Sequence, residues 1–266
     1  MIQAEALLSD LDGTLIDTTH LIRKGLYQTA YAYLESENVA PNDLPTYDIF
    51  EPIVQSSVGG SARETLERIV RAMYPGDESR LGAIDFNKMH DMLNPVQDKL
   101  APDVVKPYPG LDGLLSKLGK TGMKLAIFTS GTQYHVVRNL GIALPNLGYQ
   151  DLYKKPGGDN AHKLSLVSKR VSEEYNLSGL AIVTCDDVQA TKPDPEGINL
   201  AMKLLHVSAA SSIALGDHSA DMQAALRAKV PTRIGITHGF DDVAILKDAG
   251  ATVTVDSLND LTALLG

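Results

Sequence analysis

Six short apolar runs recur along the chain, and each stops at a small or polar residue: AEALLSD (4–10), MKLAIFTS (123–130), LAIVTCDD (180–187), SSIALGD (211–217), TRIGIT (232–237) and ATVTV (251–255). Unbroken apolar runs of this length mark strands buried on both faces, because a half-exposed strand alternates. Segments of helical period separate most of them. The pattern predicts an α/β fold with a parallel sheet and helices packed on both sides. In such sheets ligands gather beyond the carboxyl ends of the strands, which puts Asp10, Thr129, Asp187 and Asp217 near one rim.

From Asp17 to Lys106 the alternation stops. LIRKGLYQTAYAYL places Ile22, Leu26, Ala30 and Tyr33 on one helical face, and SARETLERIVRAMY does the same with Leu66, Ile69, Val70 and Met73. FNKMHDMLNPVQDKL reads as helix until Asn94-Pro95 interrupts it. The block contains no expected strand, and it rejoins the α/β pattern through the stiff, turn-prone KPYPG. The predicted organisation is an α/β core of residues 1–16 and 107–266, with a helical cap of residues 17–106 inserted after the first strand. Residues 143–178 add a Pro-, Gly- and Asn-rich loop and a helix carrying Leu164, Val167, Val171 and Tyr175 on one face.

Composition narrows the function. The chain has 266 residues, 44% of them hydrophobic, and a formal charge of −9. That charge argues against nucleic acid as a partner but leaves room for a small anion in a locally positive pocket. The single cysteine, Cys185, excludes an internal disulfide, and its apolar flank predicts a buried strand residue rather than a reactive thiol. No signal-like segment and no run near the ~18 apolar residues of a membrane span occurs. The expectation is a soluble cytoplasmic protein without a membrane partner; the oligomeric state is left open.

Chemistry concentrates at four places. Asp10 and Asp12 follow the first apolar run and precede Gly13-Thr14. Residues two apart in an extended segment point the same way, so both carboxylates can face one ligand. Asp10 is ionised at neutral pH and suits a nucleophile; Asp12 suits an acid and base. An Asp-x-Asp alone is ordinarily a solvated turn, but the apolar run before it and Gly-Thr after it weigh against that. Asp217 ends another run, and Asp221 opens the following helix, where a helix dipole alone would favour an acid. Carboxylates from two chain regions meeting at one rim form a hard-oxygen site suited to Mg²⁺, which would offset their repulsion. Thr129, Ser130 and Gly131 at a strand-to-helix turn either hold phosphate oxygens or cap the helix, since both tasks use the same residue types. Lys192, stiffened by Pro193 and Pro195, is either a surface lysine or a counter-charge to the nucleophile and a phosphoryl group.

Asp10-Leu11-Asp12-Gly13-Thr14, Thr129, Lys192-Pro193 and Gly216-Asp217 with Asp221, in that order, resemble the four motifs of the haloacid dehalogenase superfamily. YPGLDGLLSKLGKTGMKLAIFTS and GDHSADMQAALRAKVPTRIGITHG look like its phosphoglycolate phosphatase branch. The resemblance implies a Rossmann-like core with a helical cap. It also implies a Mg²⁺-dependent phosphatase acting on a small phosphorylated metabolite through an aspartyl-phosphate. In that scheme Asp10 attacks phosphorus, and Asp12 protonates the leaving alcohol and then activates water. Thr129, Ser130 and Gly131 hold the phosphate together with Lys192, which also screens Asp10. The Asp10 carboxylate, the Asp12 backbone carbonyl and Asp217 hold the metal, with Asp221 orienting or ligating it. Asp12 argues against dehalogenation, because a halide leaves without a proton. His218 stands where a small hydroxyl residue is more usual.

In the same family the cap selects the leaving group. SSVGGSARETL makes Gly60, Ser61 and Arg63 the expected substrate residues, although Ser61 and Glu64 also fit a simple capping box. The loop loosely resembles that of beta-phosphoglucomutases. Gly13-Thr14 stands where mutases usually carry valine, and His20 is not at the mutase's histidine spacing, so hydrolysis is favoured. A mutase is the alternative, with a pyrophosphatase or nucleotidase behind it.

Overall fold

The computed structural model describes residues 2–37, 46–57, 62–148, 152 and 158–266. Contacts divide the chain into two units, Met1–Thr18 with Val105–Gly266, and Thr19–Val104.

The first unit is an α/β layer structure. Its elements, in chain order, start with β1 (Ala6–Ser9) and β2 (Ile16–Asp17) and resume after the second unit with β3 (Lys106–Pro107) and β4 (Lys124–Phe128). Then come β5 (Leu180–Val183), β6 (Ser212–Gly216), β7 (Thr232–Ile236) and β8 (Val253–Val255). Six of these form a parallel sheet in the order β5-β4-β1-β6-β7-β8. All six apolar runs of the sequence are strands of this sheet. β1 sits in its interior, with Leu7 beside Leu125 on one side and Ile213 on the other. The chain therefore winds both ways from β1, and the carboxyl end of β1 is a topological switch point, where open α/β sheets bind ligands.

The second unit holds α1 (Thr19–Ser36), α2 (Tyr47–Ser57), α3 (Ala62–Met73), α4 (Glu78–Gly82), α5 (Phe86–Asp91) and α6 (Leu93–Val104). Leu26, Ala30 and Tyr33 pack with Phe50, Leu66 and Ile69 in its core, and Ile22 lies at that core's margin. The helix break falls at Met92, not at Asn94-Pro95. Pro95 occupies the first turn of α6, where its missing N–H has no intrahelical acceptor to lose.

Helices of the first unit are α7 (Leu111–Thr121), α8 (Gln133–Ala143), α9 (Asn160–Tyr175), α10 (Glu196–Leu205), α11 (Ser219–Arg227), α12 (Val243–Asp248) and α13 (Leu258–Leu264). Alternate strand residues serve opposite faces. Leu8, Ala126 and Ala214 pack with Ile198 of α10 and Ala224 of α11. Leu125 and Ile127 instead line an apolar cavity with Leu115 of α7, Leu140 of α8 and Val171 of α9. Helices thus cover both faces, which is why the strands carry no polar alternation. Leu164, Val167 and Val171 are the buried positions of α9, and Tyr175 at its end donates to Asp112.

Two further features depart from the sequence reading. Residues 16–17 and 106–107, expected to be plain connections, pair as a short antiparallel ribbon. Cys185 lies past the end of β5 in a 3₁₀ turn, half-buried, because Thr184 caps that turn and bends the chain away from the sheet. Burial and the neighbouring Asp186 push its thiol up to about 11, so it is no thiolate nucleophile. No helix among the described residues is long and apolar enough to cross a membrane.

Candidate active site

β1 delivers Asp10 to the sheet's edge, where its backbone N–H donates to Leu215 at 2.9 Å. The chain then folds back on itself: the N–H groups of Thr14, Leu15 and Ile16 all reach the Leu11 carbonyl, and Gly13 N–H reaches Ile16. Gly13 has φ of +86° and faces the Asp217 carboxylate, so a side chain there would be both strained and obstructed. The turn aims Thr14 inward, and its hydroxyl donates to Asp217 at 2.5 Å and to Asp10 at 3.3 Å.

β6 supplies Asp217, and the first turn of α11 supplies Asp221. Gly216 is required by contact: a Cβ there would meet the Asp221 carboxylate at 2.5 Å. Asp221 Oδ2 accepts the His218 N–H at 3.0 Å, so the acid both caps α11 and turns its other oxygen into the site. Lys192 enters from the loop before α10. Its ammonium donates to Asp10 at 2.5 Å and to Asp221 at 2.7 Å, above the ring of Phe128. Lys192 is therefore a part-buried counter-charge and not a surface lysine.

Asp10, Asp217 and Asp221 are all buried, and one oxygen of each lies within 4.8 Å of the others. Burial first, then the charges of Asp221 and Asp12, raise Asp10 to about 7 against the pull of Lys192. Burial, Asp10 and Asp221 likewise hold Asp217 well above the usual carboxylate range. Burial pulls Lys192 down, but Asp10 and Asp221 outweigh it and leave the ammonium above its ordinary value. One ammonium does not balance this group of carboxylates. Their oxygens keep lone pairs beyond the hydrogen bonds they accept, so the donor set fits a hard dication.

Asp12 faces other partners. Its Oδ2 accepts from the Thr129 hydroxyl at 3.2 Å, and its Oδ1 accepts from the Asn139 amide at 2.8 Å. Thr129 follows β4, and its hydroxyl also accepts the Gly131 N–H at 2.9 Å. Thr129 is not the cap of α8; Thr132 is, in a reciprocal box with His135. Ser130 is exposed beside it. Of the expected residues, Asp10, Lys192, Asp217 and Asp221 form one bonded group together with Thr14, and Asp12, Thr129 and Gly131 form a second; the chain from Asp10 to Asp12 joins the two. Arg63 belongs to the other unit, where it donates to Asn87 at 2.9 Å and lies 4.0 Å from Glu67. Gly60 and Ser61 lie outside the described residues.

Sequence reasoning missed four contributors. Asn139 and Arg138 sit among apolar neighbours on α8, and Arg138 Nε donates to Asn139 Oδ1 at 3.1 Å. The loop after β7 supplies the Phe240 N–H to Asp217 at 2.9 Å. In the same loop His238 stacks on Tyr108, 3.6 Å between ring centres, and its Nε2–H donates to the Thr14 carbonyl at 3.0 Å. Burial holds His238 below its ordinary value, against the opposing pull of the Thr14 carbonyl and Asp17. His218 caps α11 through its Nδ1, so the unusual residue has a local task.

The haloacid dehalogenase-like hydrolase family matches residues 4–229. With that match over most of its length, this chain belongs to the haloacid dehalogenase-like hydrolase family, and it is a hydrolase on a Rossmann-like core. It is 28% identical over 257 residues to a phosphoglycolate phosphatase of Agrobacterium fabrum, covering 96% of this chain and 90% of the relative. It is 25% identical over 260 residues to the pyrophosphatase PpaX of Listeria monocytogenes, covering 97% and 95%. Among solved structures, CbbY from Rhodobacter sphaeroides in complex with phosphate has the same fold, with a TM-score of 0.66, 21% identity and coverage of 97% and 96%.

Proposed function

We propose that this protein is a Mg²⁺-dependent phosphatase that hydrolyses a small phosphorylated metabolite through a phosphoryl group carried on Asp10. The observation that carries the reading is the separation of two aspartates only two residues apart. Asp10 is held by Lys192 among buried carboxylates, whereas Asp12 is held by Thr129 and Asn139. Two acids with different partner sets suit two different roles. The phosphatase and pyrophosphatase relatives support the same reading.

Asp10 attacks phosphorus, and the bond from phosphorus to the leaving oxygen breaks. Asp12 gives its proton to that oxygen. In the second half, Asp12 takes a proton from water, whose oxygen attacks the phosphoryl group and restores the Asp10 carboxylate. Lys192 pulls Asp10 toward its ionised form and offsets charge on the transferring group. The Thr129 hydroxyl and the Ser130 N–H hold phosphate oxygens, while the Thr129 and Gly131 N–H groups, given to Val183 and to the Thr129 hydroxyl, fix the turn. Asp10, the Asp12 carbonyl, Asp217 and Asp221 are the residues that would hold Mg²⁺. When bound, the ion supplies charge neutralisation and polarises the phosphoryl oxygens. We assign the Thr19–Val104 unit, with Gly60, Ser61 and Arg63, to choice of the leaving group.

The test is phosphate release from a panel of phosphate monoesters and pyrophosphate, comparing wild type with Asp10→Asn, each with Mg²⁺ or EDTA. Asp10→Asn should fall below about one-thousandth of wild-type kcat. EDTA should abolish turnover, and added Mg²⁺ should restore it. Equal turnover by the two proteins would remove Asp10 from the reaction.

A further inference from the structure

We infer that Asn139, held by Arg138, is a positioning residue for Asp12, fixing which carboxylate oxygen meets the leaving group. The inference rests on the phosphatase reading above. It starts from an oddity of α8: Arg138 and Asn139 are only 2% and 3% exposed, among Val136, Val137 and Leu140. A guanidinium and an amide are costly to bury, and an aliphatic pair would pack there at lower cost. Their hydrogen bonds show what they do. Arg138 Nε donates to Asn139 Oδ1 at 3.1 Å, and Asn139 Nδ2 donates to Asp12 Oδ1 at 2.8 Å.

Chemistry fixes the direction of this relay. A guanidinium has donors and no acceptor, so the amide oxygen must face Arg138. The amide nitrogen must then face Asp12, which removes the usual ambiguity between the two ends of an asparagine. A flipped amide would set its oxygen against a carboxylate oxygen and its NH₂ against a cation. Arg138 therefore acts on Asn139, and Asn139 acts on Asp12.

The two oxygens of Asp12 then differ. Oδ2 accepts from Thr129, a hydroxyl at 3.2 Å that the reaction also needs for phosphate. Oδ1 accepts from an amide fixed from behind within a buried helix. When substrate engages Thr129, Oδ2 is released to carry the proton and Oδ1 stays held. Asn139 thus sets the rotation of the Asp12 carboxyl group in both half-reactions, without touching substrate.

Proton donation matters in proportion to how badly the leaving group needs it. p-Nitrophenolate departs as a stable anion, whereas an aliphatic alkoxide needs the proton. The experiment measures kcat/KM of wild type, Asn139→Leu and Asn139→Ala on p-nitrophenyl phosphate and on an aliphatic ester such as glycerol phosphate, with melting curves for each. Leucine keeps the volume; alanine suits the helix if leucine does not fold. Losses of about 10²-fold on the aliphatic ester and only a few-fold on the aryl ester are expected. Arg138→Met should give the same leaving-group bias in weaker form. Equal losses on both esters, or none on either, would overturn the inference while leaving the phosphatase reading intact. If wild type turns over no ester of the panel above, or Asp10→Asn matches it, that reading falls and this inference with it; if it prefers another aliphatic ester of the panel, that ester replaces glycerol phosphate.

Discussion

Gly239 offers a stringent perturbation because its backbone passes against Asp217. A Cβ built there would lie 2.5 Å from the Asp217 Cβ and closer still to its carboxylate, whereas real Cβ contacts essentially never fall below 3.0 Å. Asp217 cannot swing aside freely. It is buried, with one oxygen held by the Thr14 hydroxyl at 2.5 Å and the other by the Phe240 N–H at 2.9 Å. Gly239→Ala must then displace the 238–240 loop or Asp217 itself by about 1 Å, a misplacement that can lower catalysis about 10²-fold. The overpacking should also cost about 1–3 kcal/mol of stability. Gly113→Ala is the control. It lies within α7 with nothing within 4 Å, so the same methyl should stabilise by about 0.5–1 kcal/mol. The assay is kcat/KM on p-nitrophenyl phosphate across a Mg²⁺ titration, with thermal melts alongside. If Gly239→Ala keeps wild-type activity at limiting Mg²⁺, Asp217 is not a metal-site residue of the kind argued here.

Other expectations concern the charge of the site. Asp10, raised from 3.8 to about 7 by burial and its carboxylate neighbours, binds a proton more readily folded than unfolded. Metal-free protein should therefore lose stability as pH rises from about 4 to about 7, less steeply in Asp10→Asn, and Mg²⁺ should flatten the slope. Urea unfolding with EDTA or Mg²⁺ checks this, and identical slopes in wild type and Asp10→Asn would contradict it. Lys192→Met removes the ammonium bridging Asp10 and Asp221 and should cost about 3–5 kcal/mol in EDTA. A loss within error in the same urea series would show that the pair contributes little.

The sheet was legible because burial on both faces leaves uninterrupted apolar runs, and Asp10 and Asp217 were legible because each ends such a run. Lys192 and Thr129 were identified by family resemblance more than by their own surroundings. Asn139 and Arg138 stayed hidden: their helical face reads as ordinary core, and only the fold brings Asp12 to them. The Phe240 amide carries no side-chain signal at all. The ribbon of Ile16–Asp17 and Lys106–Pro107 is too short for any period to register. At Pro95, the sequence correctly signalled an irregularity but not its position, since proline is tolerated in a first turn and disruptive one turn later.

That ribbon has a further consequence. Ile16 sits opposite Pro107 and Asp17 opposite Lys106, so the chain departs from the α/β layers and returns to them at neighbouring points. Any sequence whose own two ends can meet across one ladder rung could be spliced in there, with loop-closure entropy growing only slowly with its length. The fold draws its reaction centre from the two flanking parts of the gene and leaves the intervening part exchangeable, as a cassette that can be replaced without remodelling the sheet.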